Sequence, residues 1–380
     1  MAVNTLTRAD LRALTDARPE RGRVLSVFLN LDPAEFASAA ARSTAINSVL
    51  NEAEREIGQL EGLDHDELVG LREDLEKVRA ELHRDGLADE GTQGIAIYAC
   101  SFGALFEVLH LPHPVKTQAV IERTPYLEPL LVPGPQESWA ILLVNRRMAR
   151  IFRGAGVALR ETDRFEDDVH SQHDQGGWSQ ARFQRGVEKE VGDHIKHVAD
   201  VLFEAHKHEP FDCLLIGTTE EMLPDVERAL HPYLRERMCG RLSLDVEHST
   251  PDDVRRVAGE AIEEHRAAHE RQLIARLTQN LGRNVRAASS FDDVCAALNE
   301  ARVEVLFVAD GASEPGLRDP LTGTIAREGA SLPGGAPGEP VENLFEAAME
   351  KAVEQSADIL VVRDPEALVE HGGIAALLRF

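Results

Sequence analysis

The stretch from Thr250 to Gly282 is the sequence feature that most limits how this chain can fold. Thr250 supplies a hydroxyl for an N-cap, Pro251 occupies the first helical position, and Asp253 places a carboxylate near the positive end of the helix dipole. A helix of roughly 30 residues, rising about 1.5 Å per residue, extends about 45 Å. That length takes a helix out of one domain and into another, so we expect a domain boundary within it.

Alternating strand-like and helix-like patterns predict a mixed α/β fold around this helix. A length of 380 residues fits two or three domains. We predict three: an N-terminal α/β domain with a helical hairpin (1–135), a middle domain with a mixed sheet that opens with an antiparallel meander (136–270), and a C-terminal α/β/α sandwich (271–380).

Three of the predicted elements rest on short or irregular patterns. In the middle domain we expect a helix around residues 222–234 and a strand around 242–246. Residues 310–340 contain seven glycines and five prolines. That composition predicts a surface loop between the second strand and the second helix of the C-terminal domain.

The balance of charged residues excludes indiscriminate binding to nucleic acid or to membranes. The chain has 41 Lys and Arg residues against 66 Asp and Glu residues, a formal net charge of −25. This charge opposes general attachment to phosphate backbones or anionic lipid, so any nucleic-acid contact must be local. No apolar run approaches the roughly 20 residues of a membrane span, and the amino end lacks the apolar core of a secretion signal. We therefore expect a cytoplasmic protein without a membrane partner.

The four cysteines, Cys100, Cys213, Cys239 and Cys295, are scattered singly along the chain. Their spacing is typical neither of a zinc site nor of a disulfide framework, which indicates a reducing compartment. We expect small buried side chains rather than nucleophiles, and we assign no metal ligand and no cofactor.

The segment from Glu166 to Ala181 has only Val169 and Trp178 as large apolar side chains among its 16 residues. It cannot bury itself in a core, and connections of this kind tend to be functional. At its middle, the pair Gly176-Gly177 allows a close backbone approach to a partner. Four polar residues follow near the start of the next helix, where side chains and free backbone N–H groups can face phosphate: Gln180, Arg182, Arg185 and Lys189.

A basic stretch lies just upstream, from Asn145 to Arg164. It contains six arginines, including Arg146 and Arg147, against Glu161 and Asp163, a net of +4 in an otherwise acidic chain. Basic positions of a hairpin are often simply solvated. Beside the glycine segment, they also suit an RNA backbone.

The run GGWSQARFQR, the short strands before it and the closing GGIAALLRF resemble the bacterial branch of the archaeal and eukaryotic class I release-factor superfamily. The chain is also similar to the peptidyl-tRNA hydrolases of eukaryotic ribosome quality control. The resemblance implies a ribonuclease-H-like middle domain and a C-terminal domain like kink-turn-binding ribosomal proteins. It also implies a middle-domain loop that enters the ribosomal peptidyl transferase centre and promotes hydrolysis of the peptidyl-tRNA ester, with a translational GTPase as a candidate partner.

Roles follow from the resemblance residue by residue. Gly176 and Gly177 match the glycines that let the loop lie against RNA, and Gln180 matches the catalytic glutamine, although Trp178 and Ser179 intervene. A glutamine amide does not titrate, so it can position water or stabilise an oxyanion but cannot act as a general acid or base. Trp178 either stacks on a base or attaches the loop to its own domain. The expected RNA-binding residues are Trp178, Ser179, Arg182, Arg185, Lys189, Arg146 and Arg147.

Two motifs of the family are missing from this chain, and their absence limits the function that the resemblance implies. The first domain has no Asn-Ile-Lys-Ser element for decoding stop codons, which favours rescue of stalled ribosomes over codon-directed termination. In the C-terminal domain, relatives often carry a zinc element where this chain has Asp319-Pro320-Leu321-Thr322-Gly323, so no metal is expected there.

Two other classes of function stay open. One is a non-catalytic factor that binds the ribosomal A site in rescue or dormancy. The other is a metal-dependent tRNA nuclease, for which candidate ligands are Asp167, Asp168, His170, His173, Asp174, His194 and His197. The oligomeric state is left open as well.

Overall fold

The computed structural model describes most of the chain as two compact units. The described residues are 8–17, 19, 21–32, 38–60, 62–84, 87, 92–131, 137–155, 158–166, 180–330, 332, 338–362 and 364–380, without the side chains of 8, 9, 39, 155, 158, 180–185, 187 and 365. One unit comprises the described residues of 1–136 and 269–380, and the other those of 137–268. The division into three domains stays a prediction.

The amino-terminal part of the first unit is a four-stranded antiparallel sheet with the two helices of the predicted hairpin on one face. Its elements are α1 (Arg8–Asp16), β1 (Val24–Asn30), α2 (Ala39–Gln59), α3 (His65–Leu82), β2 (Gly94–Cys100), β3 (Leu105–Leu111), β4 (Gln118–Glu122) and α4 (Glu128–Leu131). The strand order is β3-β2-β1-β4. Alternate residues of β1 divide between two cores: Leu25 and Val27 pack with the α2–α3 face, while Val24 and Phe28 join the opposite core.

The second unit is a five-stranded mixed sheet covered by helices on both faces. Its elements are β5 (Ser138–Val144), β6 (Met148–Ala155), β7 (Ala158–Glu166), α5 (Gln180–His208), β8 (Cys213–Gly217), α6 (Leu223–Ala229), α7 (Pro232–Arg235), β9 (Met238–Leu242) and α8 (Pro251–Arg283). In the order β7-β6-β5-β8-β9, the first three strands form the predicted antiparallel meander, and β5, β8 and β9 run parallel. Ala140 and Leu142 face α5 and α6, whereas Ile141 and Leu143 face α8.

The carboxy-terminal part of the first unit is the predicted α/β/α sandwich. Its elements are β10 (Ala287–Ser289), α9 (Phe291–Asn299), β11 (Val303–Ala309), β12 (Gly316–Arg318), β13 (Ile325–Arg327), β14 (Glu339–Val341), α10 (Leu344–Glu354), β15 (Asp358–Val362) and β16 (Ile374–Leu378). The main sheet has the order β10-β16-β11-β15. Leu306 and Val308 pack with α9 and α10, and Val305 and Phe307 pack with Leu277 near the end of α8.

The two parts of the first unit share one core. Phe28 and Tyr98 from the first part belong to the same apolar cluster as Phe345 and Met349 from the second. The Leu127 N–H donates to the carboxylate of Glu346, whose pKa is raised well above its ordinary value by burial. Residues far apart in the chain therefore fold into one body. The mixed α/β class predicted from the sequence is confirmed, and the division between the two units falls within α8, at residues 268 and 269.

Two predicted elements of the second unit need correction. Residues 222–234 form two short helices rather than one, because Pro232 starts a new helix that the His231 side chain caps by accepting the Tyr233 N–H. The strand expected at 242–246 ends at Leu242. The Asp245 carboxylate accepts the N–H groups of Glu247 and His248 and closes a turn there.

The loop expected at 310–340 is also more ordered than predicted. It contains β12, β13 and β14, which form a three-stranded sheet of order β13-β12-β14. Arg318 of β12 pairs with the buried Glu350 at 2.7 Å. Short strands rich in glycine and proline give little periodic signal, and this ion pair joins residues on separate elements.

Candidate functional site

The predicted catalytic segment enters the described structure at Gln180, the first residue of α5. Gly176, Gly177, Trp178 and Ser179 lie outside the described residues. Arg182 and Arg185 belong to the first two turns of α5 by their backbone, and their side chains, like that of Gln180, are not described. The roles given to these residues stay predictions.

The described side chains in the amino-terminal third of α5 do not belong to the apolar core of its unit. With 29 residues the helix is about 43 Å long. Among its described side chains, the first to join the apolar core of the unit is the half-buried Val191, followed by Ile195, Val198 and Leu202. Among the side chains described between 180 and 190, none belongs to that core, and Lys189 is exposed. The described side chains that precede Val191 in α5 therefore lie outside the packed core.

The amino end of α5 also carries free backbone donors. The first four N–H groups of a helix have no partner within it, and the helix dipole places partial positive charge there. A helix start is favourable for phosphate groups for both reasons. Arg182, Arg185 and Lys189 add formal positive charge to the first three turns. This end of α5 is chemically suited to an RNA backbone.

Arg146 and Arg147 lie at the exposed turn between β5 and β6. The Asn145 side chain shapes this turn by accepting the N–H groups of Arg147 and Met148 at 2.9 and 2.7 Å. Arg146 is 3.9 Å from Glu221, and Arg147 is 3.7 Å from Glu247. Exposed ion pairs at such distances contribute little stability. Both guanidinium groups are therefore accessible to another anion.

Other arginines of the basic stretch are used inside the protein. Arg150 is only 2% exposed, donates to both oxygens of Glu161 at 2.9 and 2.6 Å, and donates to the Ser249 carbonyl at 2.6 Å. Its hydrogen bonds lower the pKa of the Glu161 carboxyl. Arg153 pairs with Glu209 at 3.2 Å. The expectation that all six arginines suit RNA is wrong for Arg150, because it is buried and fully paired.

The histidines proposed for a metal-dependent nuclease pack within the second unit. His194 is buried, and His197 lies edge-on to Phe165 with ring centroids 5.5 Å apart. Asp167, Asp168, His170, His173 and Asp174 lie outside the described residues. Within the described part of the chain, no group of three potential ligands includes His194 or His197.

The segment that replaces the family's zinc element folds around a carboxylate. Asp319 accepts the Leu321 N–H at 2.9 Å and the Thr322 hydroxyl at 2.6 Å, and these bonds lower its pKa. Lys351 donates to the Gly323 carbonyl at 2.8 Å. This turn is held by hydrogen bonds to the Asp319 carboxylate and by one from Lys351 of α10.

The sequence patterns gave no indication of one cluster of two cysteines and a histidine. Cys213 of β8, Cys239 of β9 and His265 of α8 place their potential ligand atoms within 4.8 Å of one another. The expectation of small buried side chains is confirmed for Cys213 and wrong for Cys239, which is half-buried. No short spacing joins the three residues, since they come together only through the parallel pairing of β8 with β9 and the packing of α8 on the sheet.

Among the described residues, no helix has both the length and the apolar character that crossing a membrane requires.

Comparisons with known proteins agree with the predicted resemblance. Residues 125–280 match the family model described as Bacterial archaeo-eukaryotic release factor family 10. The chain is 27% identical over 194 residues to peptide chain release factor subunit 1 of Methanopyrus kandleri, a stretch that covers 49% of this chain and 46% of that relative. The chain thus spans less than half the length of this curated relative.

Solved structures give weaker similarities. Dom34 of S. cerevisiae, described as a translation termination-like factor, is 11% identical, with 75% of this chain and 79% of that chain covered and a TM-score of 0.41. A ribosome-bound archaeal Pelota is 15% identical, with 100% and 95% covered and a TM-score of 0.42. TM-scores this low do not establish that the chain shares the overall domain arrangement of these proteins. The family match includes β5 to β9 and all of α5, so the middle part of this chain is similar to bacterial archaeo-eukaryotic release factors.

Proposed function

We propose that this chain hydrolyses the ester of peptidyl-tRNA on stalled ribosomes, with Gln180 at the reacting bond. The observation that carries the proposal is the position of Gln180 at the first residue of α5, three residues after the glycine pair and within the segment that matches the release-factor family. A helix start whose described residues are exposed is suited to contact a partner.

The chemistry relies on placement rather than on titration. The neutral amide of Gln180 orients a water with its carbonyl or donates an N–H to the developing oxyanion. Gly176 and Gly177 allow the backbone to approach RNA closely, and Trp178 and Ser179 contact RNA between them and Gln180. Holding water and ester together accounts for acceleration without a metal or an ionised base.

The proposed partners are the peptidyl transferase centre of the large ribosomal subunit and the peptidyl-tRNA bound there. Arg182, Arg185 and Lys189 of α5 bind RNA phosphates beside the ester, and Arg146 and Arg147 bind RNA from the β5–β6 turn. Such contacts position the protein without reading sequence. A translational GTPase is the proposed delivery partner, as for release-factor relatives.

A second candidate is a factor that occupies the ribosomal A site without catalysis. The sequence observation that favours it is the insertion of Trp178 and Ser179 between the glycine pair and Gln180, which changes the Gly-Gly-Gln spacing of release factors. The same exposed helix and arginines would then serve binding alone.

Release of labelled peptide from stalled ribosomes separates these functions. We expect the wild-type chain to release peptide and leave the tRNA intact, and Gln180→Ala to slow release by about 10²- to 10³-fold, the usual cost of removing one group that stabilises a developing oxyanion. Gln272→Ala, the same change at an exposed position of α8, should release peptide at the wild-type rate. Binding without release by the wild-type chain would support the second candidate, and cleaved tRNA would contradict both.

A further inference from the structure

A cluster of two thiols, an imidazole and a carboxylate lies at one edge of the second unit's sheet. Cys213 is the first residue of β8 and is 5% exposed, and Cys239 lies in the neighbouring strand β9 and is half-buried. His265 comes from α8, and Glu137 immediately precedes β5. Two strands and a helix therefore bring the ligand atoms of Cys213, Cys239 and His265 together, and Glu137 lies beside His265.

The distances within the cluster are those of groups that can share a ligand. The Cys213 Sγ and the His265 Nε2 are 3.8 Å apart, and the potential ligand atoms of Cys213, Cys239 and His265 all lie within 4.8 Å of one another. The Glu137 Oε1 is 4.0 Å from the same His265 Nε2. In a tetrahedral zinc site, bond lengths of about 2.3 Å to sulfur and about 2.0 Å to nitrogen place these two ligand atoms roughly 3.5 Å apart. Small side-chain movements would close the site.

The position of His265 is held by packing. Its ring lies edge-on to the buried Trp139, with centroids 5.4 Å apart and planes at 86°. On α8, Ala258 and Ile262 precede it on the face that packs against the sheet. A ring fixed in this way, with Nε2 directed to the thiol and the carboxylate, has lost most of its freedom before a ligand arrives.

One polar group of the cluster lacks the hydrogen-bond partner that a buried group normally requires. The Glu137 Oε2 is buried and has no hydrogen-bond donor among the described residues. A buried carboxylate oxygen without a donor is costly, and a cation at the cluster would remove that cost. Thiolates are the form in which cysteines bind metals.

We propose that Cys213, Cys239, His265 and Glu137 form a structural binding site for one thiophilic divalent cation of the Zn²⁺ class. Two sulfur ligands, one imidazole nitrogen and one carboxylate oxygen suit tetrahedral Zn²⁺ and not Mg²⁺ or Ca²⁺, which prefer oxygen ligands. On binding, each thiol that is not already ionised releases its proton to solvent. Four protein ligands leave no open position, so the ion joins β8, β9, α8 and the start of β5 without taking part in peptide release.

Cobalt titration of the full-length chain tests this site. The chain is purified under reducing conditions, stripped of metal with a chelator and titrated with Co²⁺. We expect thiolate-to-cobalt charge-transfer absorption that saturates at one equivalent per chain and is displaced by Zn²⁺. We also expect Zn²⁺ to raise the temperature at which the second unit unfolds by several degrees, because an ion that binds only the folded state stabilises it.

Two variants distinguish this cluster from adventitious binding to a thiol. Cys239→Ser changes a half-buried side chain, and it should abolish the absorption and the thermal shift while circular dichroism shows an unchanged fold. Cys295→Ser, which changes a buried thiol of α9 in the other unit, should keep both. Glu137→Gln should weaken Co²⁺ binding and keep the thiolate absorption.

Three results would overturn the proposal. One is the absence of the absorption with the reduced wild-type chain, and another is its persistence in Cys239→Ser. The third is a disulfide between Cys213 and Cys239 in the chain as purified, seen as a mass two hydrogens lower that reduction restores. None of these results bears on peptide release, so the metal site and the proposed function are tested independently of each other.

Discussion

Helices α5 and α8 have similar lengths, 29 and 33 residues, but they are held in different ways. The start of α8 is fixed at once: Arg150 donates to the Ser249 carbonyl at 2.6 Å, and Asp253 accepts the Thr250 N–H at 3.0 Å. Val254 already lies in the core. In α5, the first core residue among the described side chains is Val191, eleven residues after the helix starts. The start of α8 is thus a support, fixed against the sheet, whereas the start of α5, called the arm below, comprises residues 180–190. The predicted chemistry belongs to the arm alone.

The largest effect on stability is expected where either helix meets the sheet. Leu202 in α5 and Ile262 in α8 are almost fully buried. Leu202→Ala and Ile262→Ala should each lower the free energy of unfolding of the second unit by about 2–5 kcal/mol, through lost apolar contact and the cavity left behind. Lys189→Ala, on the exposed part of α5, should change it by less than about 0.5 kcal/mol. Denaturant unfolding measures all three, and a similar cost for Lys189→Ala would remove the contrast between arm and support.

The next effect concerns the ion pair that fixes the start of α8. Glu161→Gln leaves the Arg150 guanidinium buried without its carboxylate, and a buried charge that loses its partner is strongly unfavourable. Because Glu161 itself is 22% exposed, water offsets part of that cost, and we expect a loss of about 2–3 kcal/mol. Arg160→Gln removes an exposed charge from β7, the strand that also carries Glu161. It should be nearly neutral by the same unfolding measurement. Equal losses for the two variants would argue against a structural role for Arg150.

A smaller effect of opposite sign is expected on the arm itself. A Cβ at Gly186 would meet no atom within 4 Å, and the residue is exposed within a helix. Gly186→Ala should therefore stabilise the helix by about 0.5–1 kcal/mol, because alanine has less backbone freedom to lose. Thermal unfolding measures the gain. A loss of stability would mean that the first turns of α5 pack against something.

The smallest effect is a pH dependence at the cap of α8. Hydrogen bonds from Thr250 lower the pKa of Asp253 below its ordinary value of 3.8. A carboxyl whose folded-state pKa is lowered stabilises the fold above its ordinary pKa, and that contribution is lost as the pH falls through the lowered value. Asp253→Ala should therefore lower the unfolding temperature at pH 7 and have no further effect once the pH lies well below 3.8. A difference independent of pH would exclude the carboxylate as its source.

The sequence predicts the anchored parts of the molecule better than it predicts its polar pairings. The cap at Thr250 and Pro251 correctly located α8, which ends at Arg283. Arg150 looked like a solvated position because its partner Glu161 lies on the next strand, and only the strand register brings the two together. The same limit hid Cys213, Cys239 and His265, since pairing between distant strands and the rotation of α8 leave no local pattern.

The central claim is that the arm formed by the start of α5 presents Gln180 to the peptidyl-tRNA ester. Its most direct test is the rate of peptide release from stalled ribosomes as a function of protein concentration, for the wild-type chain and for Gln180→Ala. We expect the maximal rate to fall by about 10²- to 10³-fold and the concentration giving half that rate to stay the same, since the amide acts on the transition state and the arginines provide the binding. An unchanged maximal rate with a higher half-saturating concentration would contradict it, because Gln180 would then bind RNA without promoting hydrolysis.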